Sequence, residues 1–135
     1  MAPEVLARKL EALRRVLRDL EPYAGADLDR VLERHYELER LFELLVNIAS
    51  DVLFHLLAER DVSPASYRDS FRLAGVSGLV PSDFARRLEE AAGMRNVIVH
   101  LYDEIDYEIL RDSIDPALAD FGALLVLLQQ RLEED

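Results

Sequence analysis

Arg95, Asn96 and His100 fall close together in the chain, and Tyr102 follows two residues later. An imidazole exchanges its proton near neutral pH, so it can take the proton from a ribose 2′-hydroxyl. A guanidinium is planar, forked and permanently charged, so it can hold a phosphate and offset the charge that builds there in the transition state. Asn96 can orient the histidine or donate to a phosphate oxygen. Arg95 and His100 are therefore candidate catalytic residues for cleaving RNA without a metal ion. No His-Glu-x-x-His or comparable ligand pattern occurs, so neither a metal nor a cofactor is expected.

Helical spacing must bring these groups together. On a wheel, Met94, Val97, Ile98, Leu101 and Ile105 form a core stripe. Arg95 and Tyr102 share one flank, Asn96, His100 and Asp103 the other, and Val99 lies between them. An apolar residue within a polar face marks a partner surface, and a two-fold dimer would gather Val99, Arg95 and His100 of both copies at its seam. Asn47, Asp51 and His55, four apart, make a second polar stripe from which Asp51 can orient Arg95 or His100. A solvent-facing stripe continuous with Glu39 and Glu43 explains Asn47 equally well. His35 reads as a surface residue.

The elements carrying these residues follow from composition. The chain has 135 residues, half of them hydrophobic, with only five glycines and five prolines. That favours one helical domain spanning residues 1–135, an all-α antiparallel four- to five-helix bundle. One amphipathic helix is predicted over 3–20. Asp27 caps a second that runs unbroken to about residue 60. Residues 61–81, with Pro64, Gly75, Gly78 and Pro81, read as a loop with at most a helical turn near 67–73. Ser82 caps a third helix, in which Gly93 weakens or bends the chain or admits another backbone, and whose pattern continues to Ile105. A short turn covers 107–113, and Asp115-Pro116 opens a last helix to about residue 133.

The absence of cysteine excludes disulfides and thiol nucleophiles. With no leader pattern and no apolar run near the length of a membrane span, the expected location is cytoplasmic. A net charge of −11 argues against broad binding to nucleic acid, so any RNA contact must be local. Basic residues cluster at Arg8 and Lys9 with Arg14, Arg15 and Arg18, and at Arg86 and Arg87 with Arg95. For the first cluster a solvated face paired with neighbouring Glu is the simpler explanation.

Arg95, four residues, His100, one residue and Tyr102 match the signature motif of the HepT toxins of the HEPN superfamily. The run from Gly93 to His100, the segment from Val46 to Val52 through His55, the stretch Phe71 to Gly75 and the pair Ile105-Asp106 look like the same family, over most of residues 28–128. The resemblance implies a homodimer with Arg95 and His100 at its cleft and metal-independent endoribonuclease activity on cellular RNA, tRNA or mRNA. It also implies a type VII toxin–antitoxin pairing with MntA, a minimal nucleotidyltransferase that silences the toxin by adenylylating the motif tyrosine, here Tyr102. Two other readings stand beside it. One is a non-catalytic HEPN module that binds a nucleotide or a partner nucleotidyltransferase; the other is a structural dimer without a ligand. Arg95, His100 and Tyr102 together favour the enzyme, because a scaffold has no need of all three.

Overall fold

Pro3 sits in the first turn of α1 (Pro3–Leu20), where its missing N–H costs nothing, and Leu6, Leu10, Leu13, Val16 and Leu20 recur on the buried face. The computed structural model describes residues 2–134, and every regular element among them is helical. Asp27 caps α2 (Leu28–Glu33), its carboxylate accepting from the Arg30 N–H at 2.9 Å. The expected unbroken second helix is in fact two. Arg34 leaves helical geometry at φ −122° and ψ 26°, and α3 (His35–Ala58) starts afresh.

α3 is the spine. Leu38, Phe42, Leu45, Val46, Ala49, Val52, Leu53 and Leu57 are all essentially fully buried, and each of these side chains larger than Ala49 contributes about 1.5–3 kcal/mol by leaving water. By length and composition alone α3 would suffice to cross a membrane, a property the sequence reading denied to every segment. Its apolar residues are committed to the core instead.

The largest departure from expectation lies between 61 and 81. Tyr67–Val76 is a ten-residue helix, α4, where a loop was predicted. Ser66 caps it by accepting from the Asp69 N–H at 3.0 Å, and Asp69 reaches back to the Ala65 N–H at 2.9 Å. This reciprocal arrangement is a close variant of the capping box. A buried Ser50–Ser70 hydrogen bond of 2.8 Å ties α4 to α3, and Phe71 meets Phe121 edge to face with ring centroids 6.3 Å apart. Gly75 lets α4 press against α5 (Ser82–His100), since a Cβ there would lie 2.6 Å from the Ala85 Cβ.

α5 begins at Ser82 without a side-chain cap, runs straight through Gly93, and stops at His100, not at Ile105. Gly93 admits no other backbone; a Cβ there would meet only the Arg68 guanidinium, at 3.7 Å. A 3₁₀ turn over Tyr102–Glu104 follows. Asp106 accepts from the N–H groups of Glu108 and Ile109 and so starts α6 (Tyr107–Glu134). The predicted short turn and last helix are one helix with Pro116 inside it. Asp115, expected to open the last helix, binds the Gly25 N–H at 3.1 Å. The result is an all-α bundle of six helices among the described residues, against the four to five predicted: the break at Arg34 adds one, and tertiary packing carries α4 through its glycine signal, as it carries α6 through Pro116.

Candidate active site

Arg95 leaves the last third of α5 half-buried, and three neighbours fix it. Its Nε donates to Asn47 Oδ1 on α3 at 3.1 Å, and its Nη1 donates to Asn96 Oδ1 at 3.2 Å. Its guanidinium carbon stands 4.5 Å from the ring centroid of Tyr67 on α4, a cation–π contact. Hydrogen bonds to a charged donor are the stronger kind, so three elements converge to hold one planar cation in one orientation. Asn96 therefore positions the arginine, and its carbonyl oxygen is not free to orient the histidine.

His100 is the last residue of α5, exposed and without a hydrogen-bond partner among the described residues. Arg95, Asn96 and His100 line a single cleft of about 710 Å³, with Phe54, Tyr67 and Leu101 among its other walls. The wheel separates Arg95 from His100 by about 140°, which suggested easier convergence across a dimer than within one chain. They nonetheless border one cleft of one chain, because α4 forms the opposite bank.

One other expectation fails in the same region. Tyr102 does not share the flank of Arg95, because the helix has ended: Leu101 has φ −129° and ψ 43°, and Tyr102 stands out on the 3₁₀ turn, 73% exposed. Val99 is half-buried, while Leu101, Tyr102 and Ile109 are the exposed large hydrophobic residues of this end.

Asp51 does not reach Arg95 or His100. Its carboxylate pairs with Lys9 of α1 and lies 3.9 Å from His55 Nε2. His35 is not a plain surface residue either. Its Nδ1 lies 2.6 Å from Glu39 Oε2, the Tyr107 hydroxyl donates to the same oxygen at 3.0 Å, and together they clasp the starts of α3 and α6. Burial, then the bond to Glu39, pushes the Tyr107 phenol up to about 12.

A more enclosed hollow of about 540 Å³ lies between α5 and α6, floored by Phe42, Met94 and Phe121. Glu90, Glu104, Asp106, Asp112 and Asp120 surround it, and its one arginine, Arg87, is engaged by Asp120 at 3.0 Å. That charge repels phosphate. The groups able to act on RNA are on the other side of α5.

Tyr67 and the grip of Asn47 on Arg95 are what sequence reasoning missed. The Ser66-x-x-Asp69 spacing, followed by Phe71 and Ala74 at helical intervals, was the available signal for α4.

Residues 8–127 match the family described as Ribonuclease HepT-like. The chain is similar to the tRNA nuclease HepT of Aphanizomenon flos-aquae, 30% identical over 124 residues, which cover 88% of this chain and 84% of that protein. It is also similar to the mRNA nuclease HepT of Shewanella oneidensis, 31% identical over 93 residues, covering 68% and 67% respectively. Among solved structures, its fold resembles that of a tri-AMPylated Shewanella oneidensis HEPN toxin in complex with an MNT antitoxin, with a TM-score of 0.84 at 20% identity over 96% of this chain and 99% of that one. A toxin–antitoxin structure with AMP-PNP superimposes with a TM-score of 0.82 at 19% identity, over 95% and 99%.

Proposed function

The chain belongs to the HepT-like ribonuclease family, and from that premise we propose that it is a metal-independent endoribonuclease, the toxin of a type VII pair whose antitoxin is an MntA-like minimal nucleotidyltransferase. The observation that carries the reading is the single cleft bordered by His100 and by an Arg95 held from three sides.

In this reading Arg95 grips the scissile phosphate and His100 takes the proton from the adjacent 2′-hydroxyl. The 2′-oxygen bonds to phosphorus, the bond from phosphorus to the 5′-oxygen breaks, and that oxygen leaves with a proton. The products are a 2′,3′-cyclic phosphate and a 5′-hydroxyl. A second copy of the chain supplies the proton-donating imidazole across a two-fold seam, for which exposed Leu101 and Ile109 give an apolar surface beside the cleft. The relatives named as tRNA and mRNA nucleases support cellular RNA as the substrate class. The likeness to a toxin crystallised with an MNT antitoxin supports the partner.

The test is cleavage of tRNA and mRNA by purified protein in EDTA. His100→Ala and Arg95→Ala should each abolish cutting with helical signal retained; Tm should stay nearly unchanged in His100→Ala, whose side chain is exposed, and fall modestly in Arg95→Ala, which loses two hydrogen bonds and a cation–π contact. A wild type that binds RNA without cutting it would instead be a binding module. Cutting that survives either substitution, or that EDTA stops, overturns the mechanism.

A further inference from the structure

Beside the cleft of Arg95 and His100 opens another, of about 890 Å³, and the two share Phe54 and Tyr67 as walls. One side of this second cleft is α1, which contributes Arg8 and Lys9; the other is α3, with Asn47, Asp51 and His55. Asp51 is the one carboxylate among its lining residues, and Lys9 already engages it. Arg8 has neither ion pair nor hydrogen bond among the described residues and is exposed. In a chain of net charge −11, a cation without its own counter-ion next to an RNA-cutting cleft creates a local site for a phosphate. Two aromatic side chains on the shared ridge add surfaces on which any base can stack.

We infer that this second cleft is a nucleotide subsite: an RNA strand seated at Arg95 and His100 continues over the Phe54–Tyr67 ridge, and Arg8 holds the phosphate of a flanking nucleotide. The subsite rests on the reading of the protein as a ribonuclease. It explains how an acidic protein grips RNA, by a short cationic track in place of a basic face. It also gives the arginine-rich start of α1 a task beyond solvation. The contrast with the carboxylate-ringed hollow between α5 and α6 is a directional one: a polyanion is guided to one side of α5 and repelled from the other.

The test is fluorescence anisotropy with 2′-O-methyl RNA, which resists cleavage, as a dinucleotide and as an octanucleotide over a range of salt. Wild type should bind the octanucleotide more tightly. Arg8→Ala should weaken the octanucleotide about tenfold, leave the dinucleotide unchanged, and lower the salt slope by about 0.7, the loss of one phosphate contact on a single strand. Arg18→Ala, on the part of α1 that faces Ala119 and Gly122 of α6, should change neither. Octanucleotide affinity that is indifferent to Arg8→Ala, no binding by the wild type, or an equal loss with Arg18→Ala overturns the subsite. Cleavage of unmodified RNA is scored separately. Arg8-dependent binding without cleavage removes the nuclease reading and keeps the subsite, whereas cleavage with Arg8-independent binding does the reverse.

Discussion

The guanidinium of Arg95 on α5 stands over the ring of Tyr67 on α4, 4.5 Å from guanidinium carbon to ring centroid, while its Nε is held by Asn47 on α3. An arginine that must meet a phosphate is thus aimed by two residues, neither adjacent to it in sequence. If aim is what they supply, Tyr67→Phe keeps the stacking face and should cut RNA at close to the wild-type rate. Tyr67→Ala loses a contact of about 0.5–2 kcal/mol. It should lower kcat/KM about three- to thirtyfold, with helical signal retained. Asn47→Ala removes a hydrogen bond to a charged group, about 1.5–3 kcal/mol, and should cost about ten- to a hundredfold. Equal activity in Tyr67→Ala and Tyr67→Phe would show that stacking plays no part.

That arrangement depends on Gly75, the ninth of the ten residues of α4. An alanine there would set its Cβ 2.6 Å from the Cβ of Ala85, and backbone on both sides prevents an easy retreat. Gly75→Ala should therefore destabilise the protein by about 1–3 kcal/mol, despite its better helix propensity. Removing the opposing methyl in Gly75→Ala/Ala85→Gly should recover part of the loss, a coupling that urea unfolding reads as a double-mutant cycle. Additive losses would mean that the contact is not what limits α4.

The all-α fold class was legible in the sequence because helix periodicity is a local property, and Arg95, Asn96 and His100 stood out by their chemistry and motif spacing, although the wheel did not bring Arg95 and His100 together. The bank opposite them was not. Gly75, Gly78 and Pro64 signalled a loop, yet Gly75 is required by a close helix contact, and burial of Phe71 and Ala74 stabilises α4 around it. Pro116 misled in the same way: it reads as a helix start, but Asp106 had already begun α6 nine residues earlier. Asp51 was read as a neighbour of the site because it shares a stripe with Asn47, but α1 brings Lys9 to it first. Contacts made by a helix far away in sequence leave no periodic trace.

Tyr107 offers a test of the clasp at the other end of α3. Its phenol, raised from 10.0 to about 12 by burial and the bond to Glu39, is neutral in the folded state over a range where the unfolded chain would ionise it. A raised folded pKa contributes stability that is complete below the unfolded value and is lost as pH climbs through about 12. Denaturation midpoints should fall above pH 10, and Tyr107→Phe should flatten that fall. At neutral pH the same substitution should cost about 1 kcal/mol, the net worth of a hydrogen bond. An unchanged alkaline profile in Tyr107→Phe would assign the titration to another group.

Tyr102 is the residue on which control of the nuclease is expected to act. It is 73% exposed, two positions beyond His100 on a 3₁₀ turn, and has no hydrogen-bond partner among the described residues, so a nucleotidyltransferase can reach its hydroxyl without unfolding anything. Attack of the phenol oxygen on the α-phosphorus of ATP would attach AMP and release pyrophosphate. The attached group carries a negative phosphate diester and the bulk of a nucleoside. Next to Leu101, which lines the cleft, it would stand at the entrance and repel an incoming RNA backbone. The Shewanella oneidensis toxin of similar fold is itself tri-AMPylated. With an MntA-like partner transferase, ATP and magnesium, the wild type should gain the mass of one or more AMP units at Tyr102 and lose cleavage. Tyr102→Phe should cut RNA normally, gain no mass and remain active in the same mixture. If Tyr102→Phe is labelled and silenced like the wild type, the modified group lies elsewhere. If it is inactive before any transferase is added, Tyr102 belongs to the cutting machinery and the switch must be sought at another residue.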